Sequence, residues 1–369
     1  MRVIVTGGGT GGHIYPALAI AKGILAREPE SQILYVGTQE GMEARLVPEA
    51  GIDFQGVSGQ GLPRKLSVDT VKVGAKSFKA LWETKQILKE FKPDLVVGTG
   101  GYVSGPVVLT AALFGIPTLL HEQNALPGIT NKILARFVRK VMVTFPESIA
   151  HFGVRKKLVL TGLPVRPEIG EVSRTEGALR LGLHPERLTL LITGGSRGAR
   201  SINQAMPTVL KSLLARPDIQ VIWATGKATY KETQKALKDA GIDGVQENWK
   251  VLEYLKDMPE ALACTDLFIG RAGATTLAEL MVAGKPGILI PYPFAAENHQ
   301  EYNARALEKD GAARVILDLV LTGEKLSEII QELLAKPQDL RSMADAAKGL
   351  GQPKALQKIV DVCMETAWK

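Results

Sequence analysis

Only two cysteines occur in the 369 residues, Cys264 and Cys363, far apart and outside any CxxC pattern. With no histidine cluster beside them, a disulfide framework and a zinc site are both disfavoured, and two reduced thiols are expected. Aromatic residues are scarce at 5%, so the core must be built mainly from aliphatic side chains. The longest apolar stretch, Val103 to Leu120, is interrupted by Ser104, Gly105, Pro106, Thr110, Gly115 and Pro117. A spanning helix of about 20 apolar residues does not tolerate that density of breakers, so no transmembrane segment is expected. Met1 leads directly into the strand-like Val3-Ile4-Val5 and a glycine loop. A basic start, apolar run and cleavage site are missing, which predicts a chain that stays in the cytosol.

What is present fits a globular protein of two domains. The length leaves room for two cores, and 45% hydrophobic with 22% charged residues favours neither disorder nor a fibrous fold. The net charge of +7 is unevenly spread: residues 1–160 hold 19 Lys/Arg against 12 Asp/Glu, while the remainder balances at 26 and 26. A basic first half suits nucleic acid, an anionic membrane or phosphorylated ligands, and charge alone does not choose among them.

Short β-rich runs alternate with helix-length segments: Val3 to Thr6, Ile33 to Val36, Leu95 to Gly98, Thr118 to His121, Val141 to Thr144 and Leu158 to Thr161. That rhythm predicts a parallel sheet with crossover helices. The pattern pauses at Gly162-Leu163-Pro164-Val165-Arg166-Pro167, an expected linker. It then resumes with Leu188 to Thr193, Val221 to Ala224, Trp249 to Glu253, Leu267 to Ile269, Gly287 to Pro291 and Arg314 to Leu317. The first strand of each series runs into glycines, Gly7-Gly8-Gly9-Thr10-Gly11-Gly12 and Gly194-Gly195-Ser196-Arg197-Gly198. Two α/β, Rossmann-like doubly wound domains facing one interdomain cleft are therefore expected, with ligands outside the carboxyl ends of the strands.

Gly7, Gly9 and Gly12 satisfy GxGxxG, yet the second strand ends in Tyr35-Val36-Gly37-Thr38 without the acidic residue that binds a nicotinamide dinucleotide ribose. The loop otherwise reads as a tight turn or as a backbone surface open to a sugar or pyrophosphate. His13 follows at a helix start, as a candidate general base or orienting group. His121-Glu122-Gln123-Asn124 ends another strand, where four polar residues read as partners for a polyol or phosphate, or as a solvated loop. In the second half, Arg271-Ala272-Gly273-Ala274-Thr275-Thr276-Leu277-Ala278-Glu279-Leu280 joins a strand to a helix. The free amides of such a terminus suit a diphosphate, and Glu279 could accept both hydroxyls of a ribose. Glu297-Asn298-His299-Gln300 adds a polar cluster at the same edge.

Six motifs in order, Gly8 to His13, Gly100 to Pro106, His121 to Asn124, Gly194 to Ala199, Gly273 to Glu279 and Asn298 to Ala304, resemble the MurG family of glycosyltransferases over essentially the whole chain. The resemblance implies the GT-B fold and transfer of N-acetylglucosamine from UDP-N-acetylglucosamine (UDP-GlcNAc) to the 4-hydroxyl of the muramoyl group of lipid I. Transfer is with inversion, and no cofactor or active-site metal is expected. No Asp-x-Asp, the usual metal-holding pair, occurs, so leaving-group charge falls to helix amides and arginines. The implied domains are 1–163, carrying acceptor and membrane functions, and 164–349, binding the donor, with a helix at about 350–369 packing back on the first.

Carried over, Thr10, Gly11, Gly12 and Asn124 hold the donor sugar or reacting centre. Arg166, Ser196, Leu255, Ala274, Thr275, Thr276, Leu277, Ala278, Glu279 and Gln300 are implied donor contacts. Among them Ser196 and the helix start near Ala274 serve the diphosphate, Leu255 the uracil, Glu279 the ribose and Gln300 the sugar hydroxyls. The linker carries Leu163 where the family often has asparagine, while Arg166 is retained. Inversion requires one in-line displacement and a base opposite the departing UDP; His13 is the first candidate and Glu122 the rival.

Lys72, Lys76, Lys79 and Lys85 alternate with Val71, Val73, Phe78, Leu81 and Trp82 at helical spacing. A basic amphipathic helix, here centred on Lys72, Lys76, Phe78, Lys79 and Trp82, suits an anionic bilayer, or is a solvated helix packed by its apolar side. Peripheral attachment to the cytoplasmic side of the cell membrane is expected. A dehydrogenase is disfavoured by the missing ribose carboxylate, and a nucleic-acid partner by the absence of any recognised motif. Another GT-B enzyme, a glycolipid glycosyltransferase or a UDP-GlcNAc 2-epimerase, stays open until the acceptor is known.

Overall fold

The computed structural model describes residues 1–58, 68–195, 198–242 and 248–368, and gives the backbone course alone for 68–78. Contacts divide the chain into two compact units, Met1–Pro164 with Pro353–Lys369, and Val165–Gln352.

The first unit alternates strands and helices in the order β1 (Arg2–Thr6), α1 (Gly11–Arg27), β2 (Gln32–Thr38), α2 (Glu43–Glu49), β3 (Asp53–Val57), α3 (Val68–Phe91), β4 (Leu95–Gly98), α4 (Ser104–Leu113), β5 (Thr118–Glu122), α5 (Ile129–Leu134), β6 (Lys140–Val143) and β7 (Leu158–Leu160). All paired strands are parallel, in the order β3-β2-β1-β4-β5-β6-β7. Strands covered on both faces must be apolar throughout, and β1, β4 and β5 are buried over nearly their whole length. On one face Ile14, Ile20 and Ile24 of α1 pack with Ile359 and Cys363 of the closing helix Ala355–Ala367. Burial pushes the Cys363 thiol up to about 12, so it packs as a small apolar residue. On the other face Ile87, Val107, Val108, Leu134 and Val138 enclose Ile4, Val96 and Leu120.

The second unit runs α6 (Arg174–Arg180), β8 (Leu188–Thr193), α7 (Arg200–Leu213), β9 (Ile219–Ala224), α8 (Tyr230–Asp239), β10 (Trp249–Leu252), α9 (Met258–Cys264), β11 (Leu267–Gly270), α10 (Ala274–Ala283), β12 (Gly287–Leu289), α11 (His299–Lys309), β13 (Ala313–Val315), α12 (Gly323–Leu334) and α13 (Pro337–Leu350). Its six strands are also parallel, in the order β10-β9-β8-β11-β12-β13. Trp223 is fully buried at its centre, with its indole N–H donated to Asn203 at 3.1 Å. In both sheets the order reverses beside the first strand, the position at which doubly wound folds bind ligands. The strand series read from sequence omits β3, whose residues Asp53-Phe54-Gln55-Gly56-Val57 are half polar. As an edge strand it buries little, so nothing forces an apolar pattern on it.

Candidate functional site

In the first unit the loops after β1 and β4 cross at the sheet's reversal point. Gly8 N donates to Gly100 O at 3.3 Å, and a Cβ on Gly101 would meet the Gly8 backbone. Gly9, Gly100 and Gly101 have φ of 83°, 102° and 82°, a region that glycine enters without penalty. The buried Glu43 holds the turn from below, accepting from Thr38 N at 3.1 Å, Thr38 Oγ1 at 2.6 Å and Gly9 N at 3.4 Å. Thr10 then caps α1 in extended geometry without a side-chain hydrogen bond. Thr10 and Gly12 are exposed, while the amides of His13 and Ile14 bond back to Thr10 O at 3.1 and 3.2 Å.

His13 is half-buried at this helix start. Its Nδ1 lies 2.9 Å from Thr99 O and 3.0 Å from Gln123 Oε1. The Thr99 hydroxyl returns to His13 O at 2.8 Å, so Thr99, just after β4, holds both ring and backbone.

His121, Glu122 and Gln123 do reach the carboxyl end of β5, but as interior groups. Their exposures are 0%, 1% and 1%, which excludes the solvated-loop reading for these three. Glu122 Oε1 accepts from Asn124 N at 3.0 Å and Asn124 Nδ2 at 3.2 Å, while Oε2 accepts from Gly128 N at 3.2 Å and Asn131 Nδ2 at 2.8 Å. A carboxylate so enclosed organises the loop before α5. Asn124 is half-buried above it.

In the second unit, Gly195 and Gly198 turn with φ of 82° and 77°. Gly198 must lack a side chain because a Cβ there would meet Thr225 O and, at 2.7 Å, Thr229 Oγ1. Ser196 lies outside the described residues. Helix α10 begins after an extended Gly273 with no side-chain cap and no acidic residue in its first turn. Ala274, Thr275 and Thr276 are half-buried there, while Leu277, Ala278 and Glu279 are buried, so the apolar Leu277 and Ala278 anchor the helix. Glu279 accepts from Arg166 Nε at 3.0 Å. Burial pushes its carboxyl up and Arg166 opposes that. Leu255 is buried in the loop after β10, and half-buried Gln300 accepts from Tyr292 N at 3.0 Å. Through β10, β11 and β12 these groups share the carboxyl edge of one sheet.

Sequence reasoning quoted Arg271 only as part of a motif. Its guanidinium donates to Ile290 O and Pro291 O at 3.1 Å each, to Ser201 Oγ at 3.1 Å, and pairs with Asp318. It also lies 5.5 Å from the ring centre of Tyr292. This clamp joins the loops after β12 and β13 to the start of α7. Beyond it Glu297 and Asn298 have φ of 53° and 56°, conformations that non-glycine residues hold only when their surroundings enforce them.

On the first unit Lys79 and Trp82 of α3 are exposed, Trp82 by 59%. The side chains of Lys72, Lys76 and Phe78 lie outside the described residues. α4 packs beside both α3 and α5, and Leu113, Phe114, Ile129 and Ile133 are likewise exposed. Lys85 Nζ lies 5.8 Å over the Phe114 ring. Among the described residues no helix is long and apolar enough to cross a membrane.

The chain matches the N-terminal domain of glycosyltransferase family 28 over residues 3–143 and the C-terminal domain over residues 189–359. It belongs to glycosyltransferase family 28. A relative from Desulfitobacterium hafniense (strain Y51), 81% identical over 100% of both chains, is a UDP-N-acetylglucosamine--N-acetylmuramyl-(pentapeptide) pyrophosphoryl-undecaprenol N-acetylglucosamine transferase. One of the same name from Desulforamulus reducens is 52% identical over 99% of this chain and 98% of its own. The crystal structure of Acinetobacter baumannii MurG matches with TM-score 0.80 and 33% identity over 99% of both chains. Within family 28 the two parallel, doubly wound units make the GT-B fold. A UDP-GlcNAc 2-epimerase from Neisseria meningitidis, bound to UDP-GlcNAc, shares that fold alone, at 14% identity and TM-score 0.64 over 99% of this chain and 100% of its own.

Proposed function

We infer that this chain transfers N-acetylglucosamine from UDP-GlcNAc to the 4-hydroxyl of the muramoyl group of lipid I, forming lipid II for peptidoglycan. The observation that carries the reading is full-length identity of 81% to a transferase of that name. The chemistry of both units supports it. The acceptor hydroxyl loses its proton to Nε2 of His13 as its oxygen attacks C1 of the sugar. The C1–O bond to the diphosphate breaks with inversion, and UDP leaves with the electron pair.

The uncapped start of α10, from Ala274 to Thr276, stabilises the diphosphate charge through free amides and the helix dipole. Ser196 is assigned to the same charge. Glu279, steadied by Arg166, accepts the ribose hydroxyls; Leu255 packs by the uracil and Gln300 reads the sugar. Leu277 and Ala278 hold the helix in place. Thr10, Gly11, Gly12 and Asn124 serve the reacting centre. Four donors already engage Glu122, which supports His13 over it as the base.

The enzyme works as a peripheral protein on the cytoplasmic face of the membrane, where its acceptor lies. Trp82 and Lys79, with Lys72, Lys76 and Phe78 of the same helix, form the docking surface. The test is transfer of radiolabelled N-acetylglucosamine to a lipid I analogue, with diacylglycerol as control. Product from the lipid I analogue alone supports the reading; a folded protein that binds UDP yet gives no product on it overturns it.

A further inference from the structure

The hydrogen bonds behind His13 form one chain whose direction follows atom by atom. At its far end His121 Nε2 lies 3.0 Å from Gly162 O, in the segment that closes the first unit. A carbonyl only accepts, so the His121 proton sits on Nε2 and Nδ1 presents a lone pair. Burial pushes the His121 pKa down to about 4, which keeps the ring neutral.

Gln123 Nε2 faces three acceptors: His121 Nδ1 at 3.1 Å, His121 O at 2.9 Å and Thr99 O at 2.9 Å. A carbonyl oxygen placed there would meet only lone pairs, so this end of the carboxamide is the NH2. Gln123 Oε1 then faces His13 Nδ1 at 3.0 Å, and Thr99 O faces the same nitrogen at 2.9 Å. Two acceptors on one nitrogen require a proton on it. In the neutral ring the lone pair is therefore on Nε2.

We propose that Gln123, oriented by His121, is a positioning residue that holds His13 as the Nδ1–H tautomer and sets two neutral oxygens against the charge its ring acquires. The proposal rests on the reading of His13 as base. In the reaction the acceptor proton arrives at Nε2, Nδ1 keeps its own, and the cation is stabilised by the Thr99 carbonyl and the Gln123 carboxamide. The more usual device is a carboxylate behind the histidine. Here the nearest carboxylate in the motif, Glu122, is engaged by Asn124, Gly128 and Asn131. Neutral dipoles fix the tautomer without a permanent ion pair.

The test uses full-length protein with 15N-labelled histidine. In the parent, His13 should show one bare, pyridine-type nitrogen and one protonated nitrogen. Gln123→Met removes the carboxamide at similar volume. The His13 nitrogens should then move toward averaged shifts, and kcat should fall about tenfold or more, with KM for UDP-GlcNAc within about twofold. His121→Phe, which leaves Gln123 its two carbonyl partners, should move both readouts in the same direction by less. Folded Gln123→Met protein with parental His13 shifts overturns the proposal, whether kcat is kept or lost, since loss without a tautomer change is a packing effect. His13→Ala protein with near-parental turnover overturns the base reading instead.

Discussion

Gly100 stands where His13 leaves no room for a side chain: a Cβ there would lie 2.9 Å from both Cε1 and Nδ1 of the ring. Gly100 also has φ of 102°, so the two reasons for glycine coincide at one position. Gly100→Ala should push the ring off Thr99 O and strain the backbone by about 1–3 kcal/mol. Turnover should fall by about tenfold or more while UDP binding, assigned in the proposed function to the other unit, stays near parental. Steady-state kinetics beside UDP titration calorimetry separates these; parental kcat would show that the ring tolerates displacement.

The Arg166–Glu279 pair predicts a pH effect on donor binding. The ribose contact proposed for Glu279 needs its carboxylate form, burial favours the protonated form, and Arg166 favours the carboxylate. Removing Arg166 therefore moves protonation of Glu279 to higher pH. In Arg166→Met, KM for UDP-GlcNAc should begin to rise at a higher pH than in the parent as acid is added. Glu279→Gln should have a raised KM that no longer depends on pH over that range. Equal profiles for parent and Arg166→Met would remove Arg166 from this role.

Much of the fold was legible because both sheets are parallel and covered on two faces, which forces runs such as Val3-Ile4-Val5 and Leu190-Leu191-Ile192 to be apolar throughout. Glycine loops after β1 and β8 were legible too, since a strand-to-helix turn with positive φ has few alternatives. His121-Glu122-Gln123 misled because polar residues were assumed to seek solvent. A polar side chain is equally stable inside when neighbouring backbone groups complete its hydrogen bonds, and those partners, Gly162, Thr99 and Gly128, are scattered along the chain. The Arg271–Asp318 clamp spans 47 residues, and no local pattern announces such a pair.

That clamp carries a stability prediction. The side chains of Arg271 and Asp318 are only 13% and 17% exposed, so removing one partner leaves a largely buried charge unpaired. Asp318→Ala should cost about 3 kcal/mol and lower Tm by several degrees. Asp318→Asn, which still accepts from Arg271 and Ser201, should cost less. If Asp318→Ala unfolds at the parental temperature, the clamp contributes nothing to the second unit.

His121 predicts acid sensitivity. Its pKa falls from 6.5 to about 4 on folding, so the unfolded chain binds a proton that the folded one refuses between those values. The stabilisation from a neutral His121 is complete above pH 6.5 and is lost as pH falls toward 4. At pH 5 the loss is about 2 kcal/mol. Urea unfolding of parent and His121→Phe at pH 7 and pH 5 should show the variant losing less between the two. Equal losses would mean that His121 takes up its proton in the folded state.

The proposed docking surface, with Trp82, Leu113 and Phe114 exposed on packed helices and Lys79 and Lys85 beside them, predicts two separable contributions to membrane binding. Basic side chains are drawn to an anionic surface at about 1 kcal/mol each and are screened by salt, while aromatic groups bury apolar area whatever the charge. Lys79→Glu with Lys85→Glu should abolish the preference for anionic over neutral vesicles and flatten the salt dependence. Trp82→Ala with Phe114→Ala should weaken binding to both vesicle types and leave the preference intact. Because Lys85 lies over Phe114, losing the ring also frees the ammonium group, so the four changes together should weaken binding by other than the sum of the two pairs. Vesicle sedimentation at two salt concentrations measures each quantity; parental binding by both double variants would place the docking surface elsewhere.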